Sequence, residues 1–223
     1  MPVVYSCMFG DEADETAAWL YQKGGSPVNA VFAAISGGDW DNDLSPWPAP
    51  KAFKGGSDFG GGADDFIKEL AGGIMPAVEK TLAAWPKTEM TDGSSEIGRQ
   101  PIVPEYSAIA GYSLAGLFSV YAAWTSGCFR RGVSASGSMW FDGFVDYLKK
   151  NPSAQPPERF YFSLGDKEKN TKNQRMAVVE ERTREAEALM GEPGTETIFE
   201  LNEGGHFSEP EHRTARGIRW MLK

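Results

Sequence analysis

Short apolar runs alternate with longer amphipathic stretches along this whole chain, and that alternation points to βα units built around a parallel sheet. Six strands are expected: VVYSC (3–7), VNAVFAAIS (28–36), YSAIAGY (106–112), RRGVSAS (130–136), RFYFSLG (159–165) and TETIFEL (195–201). Each is rich in β-branched or aromatic residues and bounded by Gly, Pro, Asp or Asn. The expected class is α/β: a mostly parallel sheet of about six strands with helices on both faces. No repeat or composition break divides the chain, so one domain over 1–223 is expected.

The helical stretches differ in how deeply they should be buried. Over 63–85, Ile67, Leu70, Ile74, Val78 and Leu82 trace one face, and Gly72, Gly73 and Pro76 predict a break or kink. Over 174–190, Met176, Val179, Thr183, Ala186 and Met190 do the same. LAGLFSVYAAW (114–124) is apolar almost all round and should be the most buried helix. Ser208 and Glu211 have the spacing of a capping box ahead of Ala215, Ile218 and Leu222, which leaves His206 in the preceding loop. Two long segments, 37–62 and 86–101, carry no regular pattern. The first holds Trp40, Trp47, Phe53 and Phe59, too many aromatics for a plain linker; the second is polar and reads as a surface or disordered excursion.

Charge narrows the partners. With 22 Lys+Arg against 31 Asp+Glu, the formal charge is −9. Such a chain lacks the basic field that draws nucleic acid or an anionic membrane. No apolar run reaches the roughly 18 residues a membrane helix needs, and the start, MPVVYSCMFGDEADE, is not a basic region followed by an apolar core. A cytoplasmic protein is expected. Cys7 and Cys128 are too few for a disulfide framework or a zinc site and read as buried free thiols.

The chemistry points to AIAGYSLAGLFS (108–119), a strand, a tight turn and a buried helix. A turn this sharp lifts a serine above the sheet edge and tolerates only small residues around it. Ser113 has Gly111 two residues before it and Ala115 and Gly116 after it, the G-x-S-x-G elbow with alanine in the last position. A serine nucleophile needs a base, and imidazole has a suitable pKa. Of the two histidines, His206 follows the sixth strand in NEGGHF, whereas His212 lies within the last helix. The imidazole needs an acceptor in turn. Asp166, at the end of the fifth strand, gives the chain order Ser, Asp, His; Glu168 and Asp142 compete with it. Acyl transfer also needs two donors for a developing oxyanion. The N–H of Leu114 is one candidate, and Phe9 or Gly10, in the turn after the first strand, is the other.

Two other patterns fall short. Asp39, Asp41 and Asp43 begin like a calcium loop, but Leu44 and Pro50 stand where its glycine and glutamate belong. The glycines of GGSDFGGGADD lack the Gly-Lys-Ser/Thr ending of a phosphate loop, and Asp64 and Asp65 follow them.

Taken together, GYSLAGLFSVYA, DNDLSPWPAP, FGGGADDFIKEL, SASGSMWFDGF, SLGDKEKNTKNQ and NEGGHFSEPEHRTARG resemble a bacterial esterase family of the α/β-hydrolase superfamily, related to esterase D and the enterochelin (siderophore) esterases. The resemblance spans nearly the whole chain. It implies a compact α/β-hydrolase fold without its usual first two antiparallel strands. It also implies a serine esterase acting through an acyl-enzyme on small or siderophore-like esters, with Ser113 as nucleophile and His206 as base. Asp166 is its favoured acid, although some siderophore-esterase relatives work with a Ser-His pair alone. Trp40, Trp47 and Trp140 would wall the pocket, and neither metal nor organic cofactor is called for. An acyltransferase on the same triad, a peptidase and a non-catalytic binding protein of this fold are the alternatives; monomer and homodimer both stay open.

Overall fold

The computed structural model describes residues 1–85 and 102–223; the polar segment 86–101 lies outside the described residues. The chain opens with β1 (Val3–Cys7), α1 (Gly10–Ala18, running into a π turn over Trp19–Lys23) and β2 (Val31–Ile35). Next come α2 (Trp40–Asp43), the two-residue strands β3 (Pro48–Ala49) and β4 (Phe59–Gly60), α3 (Ala63–Glu69) and α4 (Met75–Ala84). The second half holds β5 (Ser107–Tyr112), α5 (Leu114–Thr125), β6 (Arg131–Ala135), α6 (Phe144–Lys150) and β7 (Arg159–Gly165). It ends with α7 (Gln174–Ala177), α8 (Val179–Gly191), β8 (Glu196–Asn202) and α9 (Pro210–Met221).

The main sheet has six strands in the order β2-β1-β5-β6-β7-β8. Every neighbouring pair is parallel, with Val3 opposite Val31 and Ser107, and Ala135 opposite Tyr112 and Ser163. All six expected strands are therefore present, each within three residues of its predicted ends, and no antiparallel strand joins this sheet among the described residues. Order reverses at β1: the chain steps outward to β2 and returns on β1's other side as β5. A crevice outside the carboxyl ends of β1 and β5 follows from that reversal, the place where open α/β sheets bind ligands.

Strand alternation divides the core. Val3, Tyr5, Cys7, Ile109, Phe160, Phe162 and Leu164 face one side, where α5, α6 and α8 pack. Val4, Ala108, Ala110, Val133, Ala135 and Tyr161 face the other, beneath Ala215, Ile218 and Met221 of α9. α5 is buried from Leu114 to Trp124, as its apolar composition predicts. The alanines on the second face leave α9 room to lie close. A Cβ on Gly217 would come 2.5 Å from Tyr161 Cδ1 and 2.6 Å from Val133 Cγ1.

Several local expectations need correction. The break or kink predicted at Gly72, Gly73 and Pro76 is a π turn over Leu70–Ile74 that joins α3 to α4 without interrupting the helix, and Pro76, which has no N–H to donate, stands just past that turn. Ser208 does not cap α9. That helix starts after Glu209, which has a left-handed backbone, while the Ser208 hydroxyl accepts the Gly205 N–H at 3.1 Å. The segment 37–62 contains α2 and the β3–β4 pair rather than unbroken loop. Asp39, in the acidic triplet, accepts the Asn42 N–H and caps α2. Cys7 is buried as expected, whereas Cys128 is half-buried.

The close approach of α9 predicts a cost for any added atom. Gly217→Ala should lower stability by about 1–3 kcal/mol through overpacking, read as a lower urea midpoint at unchanged slope. An unchanged midpoint would mean that α9 can lift from the sheet without loss.

Candidate active site

Everything at the site hangs from the carboxyl ends of β1, β5, β6, β7 and β8. Ser113 follows β5 directly with φ 58° and ψ −120°, a conformation that costs a non-glycine residue about 1–3 kcal/mol. Neighbouring contacts impose it. The Ser113 N–H reaches Ala135 O at 3.1 Å, continuing the β5–β6 ladder, and the Ser113 carbonyl accepts from Leu117 and Ser138 at 3.1 and 3.0 Å. Gly111 is required because a Cβ there would lie 2.2 Å from Ala115 O; one on Gly116 would lie 2.9 Å from Gly137 Cα. The elbow read from the sequence is thus present with Ala115 in the last position.

His206 is brought to Ser113 by a loop pinned at many points. Its Nε2 lies 3.0 Å from Ser113 Oγ. Gly204 N–H donates to Asp166 Oδ1 at 2.8 Å, Lys167 N–H to Gly204 O at 3.0 Å, and the Tyr112 hydroxyl to the His206 carbonyl. Burial raises the Tyr112 phenol above its ordinary value, which keeps it an O–H donor.

The carboxylate on the far side of the imidazole is Glu168, not Asp166. Glu168 Oε2 lies 2.7 Å from His206 Nδ1. The turn from Gly165 to Glu168 folds the side chain back over the strand end, so that Oε1 accepts the Gly165 N–H and the Ser136 hydroxyl, each at 2.7 Å. Asp166, the first residue past the strand, is spent on the Gly204 N–H. Asp142, the third candidate, pairs with Arg175 at 3.0 Å. Burial pushes the Glu168 carboxyl up, but the bond and charge of His206 and the Gly165 and Ser136 donors outweigh it and hold the group below its ordinary value. Only 4% of its side chain is exposed.

The expected oxyanion donors fall at helix starts. Leu114 and Gly10 are the first residues of α5 and α1, where an N–H has no acceptor within its own helix. Phe9 is different, since its N–H already donates to Glu12 Oε2 at 3.1 Å. Beside this turn lies a cavity of about 150 Å³ lined by Met8, Phe9, Ile35, Trp40, Leu44 and Phe66. Cys7 also borders it, its thiol pushed up to about 12 by burial and by Asp43.

Of the three tryptophans, Trp40 stacks on Phe9 at 4.3 Å and lines that cavity. Trp47 donates to Asp142 O at 3.1 Å and packs against Phe141 and Tyr147. Trp140 is buried against Phe59 beneath Arg175. Neither lines the cavity; both anchor the 37–62 segment, because a large ring in a loop is stabilised as much by covering core as by facing a ligand. Arg213 escaped the sequence reading altogether. It is 2% exposed, with Nη1 at 3.5 Å from Glu168 Oε1. An arginine in an otherwise polar helix start gives no sign of burial.

No protein-family model matches this chain. Among curated proteins it is 22% identical over 154 residues to the uncharacterized protein YbbA of Bacillus subtilis, a match covering 69% of this chain and about half (55%) of that protein's length. Among solved structures, the siderophore hydrolase EstA from Aspergillus nidulans is 20% identical with a TM-score of 0.67, over 99% of this chain and 82% of the other. The enterobactin esterase FES from Shigella flexneri is 16% identical with a TM-score of 0.60, over 99% and 52%. Arabidopsis thaliana SOBER1 is 17% identical with a TM-score of 0.59, over 100% of both chains. The chain has the α/β-hydrolase fold.

Because Glu168 has a lowered pKa in the folded chain, its ionised form stabilises the fold above the unfolded value of 4.5, and that contribution is lost as pH falls through the folded value. Glu168→Gln should therefore destabilise by about 3 kcal/mol at pH 7, where it strands buried Arg213. Urea titrations at pH 7 and pH 3.5 should show the gap to the parent chain shrinking at the lower pH; a constant gap would contradict the assignment.

Proposed function

We propose that this chain is a serine carboxylic-ester hydrolase that works through an acyl-enzyme on Ser113. One observation carries the reading: an unbroken hydrogen-bonded line from Ser113 Oγ through His206 to Glu168, at the ligand-binding edge of an α/β-hydrolase sheet. Small esters, siderophore-like ones among them, are the proposed substrates. The fold shared with the siderophore hydrolase EstA and the enterobactin esterase FES supports that choice.

In the proposed reaction, His206 Nε2 takes the Ser113 proton as Oγ attacks the ester carbonyl, and a tetrahedral oxyanion forms. The Leu114 N–H is one donor to it. The second comes from the turn at Gly10, because Glu12 holds the Phe9 N–H. His206 then gives its proton to the leaving alkoxide, which departs as the alcohol. Water, deprotonated by the same nitrogen, attacks the acyl-enzyme, and the second tetrahedral intermediate expels Ser113 Oγ, which takes the proton back from His206 as the acid is released. Glu168 keeps the Nδ1 proton in place throughout and stabilises the imidazolium. The cavity beside Phe9 and Trp40 would receive one side of the ester.

The test is p-nitrophenyl butyrate turnover with fluorophosphonate labelling. Ser113→Ala should abolish both while leaving the fold intact. Glu168→Gln should lower kcat by about 10²–10⁴, in line with loss of a triad acid, whereas Asp166→Asn should cost no more than about tenfold, through the loop it pins. Turnover that survives Ser113→Ala would overturn the reading. Acyl transfer to an added alcohol in preference to water would redirect it to an acyltransferase.

A further inference from the structure

Arg213 is the largest fully buried side chain of the described residues and takes no part in the steps above. A guanidinium at that depth must find acceptors for its donors. Those it finds come from three separate strand ends. Nη2 donates to Glu203 O at 2.9 Å and Nη1 to Gly205 O at 3.2 Å, both in the loop that carries His206. The same Nη1 lies 3.3 Å from Ser136 Oγ, just past β6, and 3.5 Å from Glu168 Oε1, past β7. Gly165 completes the enclosure, since a Cβ there would sit 3.0 Å from Glu168 Oε1, 3.1 Å from Arg213 Nη1 and 2.4 Å from Gly204 O.

Glu168 is therefore shared. Oε2 serves the imidazole while Oε1 faces a permanent cation. We propose that Arg213 is a positioning residue for the reaction proposed above, on which this inference rests: one planar guanidinium ties the His206 loop to the Glu168 loop and draws part of the carboxylate's charge away from the imidazole.

Two separable consequences follow. Removing the positive charge leaves Glu168 wholly to His206 and removes a repulsion on the imidazolium, so His206 should hold its proton to higher pH. Removing the planar fork while keeping a charge frees the carbonyls of Glu203 and Gly205, which should misplace the imidazole without weakening substrate binding. The other groups around His206 act on both variants alike. Tyr112 from β5 bonds its carbonyl, Asp166 holds Gly204, and Glu209 of the same loop pairs with His212 at 3.7 Å.

The experiment is an NMR titration of the imidazoles in the full chain, alongside pH profiles of kcat and KM on p-nitrophenyl butyrate. Only two histidines are present, and His212 is marked by the ring of Trp19 stacked on it at 4.0 Å. Arg213→Met should move the His206 midpoint and the acid limb of kcat/KM upward together by about one pH unit. Arg213→Lys should leave the midpoint within about 0.3 unit and lower kcat by about tenfold with KM little changed. A wild-type or lowered midpoint in Arg213→Met, or wild-type kcat in Arg213→Lys, would overturn the proposal. If Arg213→Met does not fold, the kcat-against-KM split of Arg213→Lys decides alone. Absence of Ser113-dependent turnover in the parent chain would defeat the esterase reading instead, and the titration would still report on Arg213.

Discussion

A carboxylate buried beneath a sheet edge is costly unless it is paired and hydrogen-bonded, and at Glu168 the protein meets that demand with groups from four chain segments. Its donors are the Gly165 N–H, the Ser136 hydroxyl, the Arg213 guanidinium and the His206 imidazole. They come from the end of β7, the turn after β6, the first turn of α9 and the loop after β8. Satisfying one buried charge thus fixes the relative placement of the ends of β6, β7 and β8, and through His206 fixes the imidazole over the end of β5. The hydrogen bonds that make the site geometry are the same ones that make the charge tolerable.

Backbone strain gathers in the same place. Among the described residues, the non-glycine positions with positive φ are Ser113, Ser136 and Glu209. Ser113 presents its hydroxyl, Ser136 bonds Glu168, and Glu209 ends the His206 loop and begins the helix that delivers Arg213. Each costs about 1–3 kcal/mol in isolation. They persist because the surrounding bonds over-determine them: Ser113 and Ser136 extend ladders to Ala135 O and Ser163 O, and the Glu209 carbonyl accepts the Arg213 N–H. The strain is placed where side chains must point away from their own strands, and the rest of the sheet runs without it.

What the sequence made legible follows from the range of each interaction. The six strands and the elbow were readable because alternation and the Gly-x-Ser-x-Ala spacing are local patterns whose meaning survives without tertiary context. Asp166 was read as the acid because position at a strand end is also local; the fold-back of the turn from Gly165 to Glu168 depends on Arg213, 45 residues away, and on Ser136. Ser208 misled for a similar reason. Its hydroxyl had the spacing of a cap, but the Gly205 N–H in the tight loop before it takes that oxygen. Trp47 and Trp140 carry the same chemistry whether they face a ligand or a core, and only their partners, Asp142 O and Phe59, separate the two. α1, with Asp11, Glu12, Asp14 and Glu15, is polar enough that no apolar stripe announced it.

The acidic composition raises a last physical question, how a chain of charge −9 could stabilise an anion developing at Ser113. In the proposed reaction that task falls to backbone rather than side chains. Parallel β1 and β5 are neighbours, so the helices that follow them, α1 and α5, begin at the same edge, with Gly10 and Leu114 as their first residues and the positive ends of two helices there. α5 is buried from Leu114 to Trp124, which keeps water from screening its dipole along most of its length. Arg213, a permanent cation, is held behind Glu168 by its own hydrogen bonds, on the side of the imidazole away from Ser113. Its charge is matched by the carboxylate, and the oxyanion side of the proposed reaction is left to preorganised dipoles that need no reorientation as charge develops.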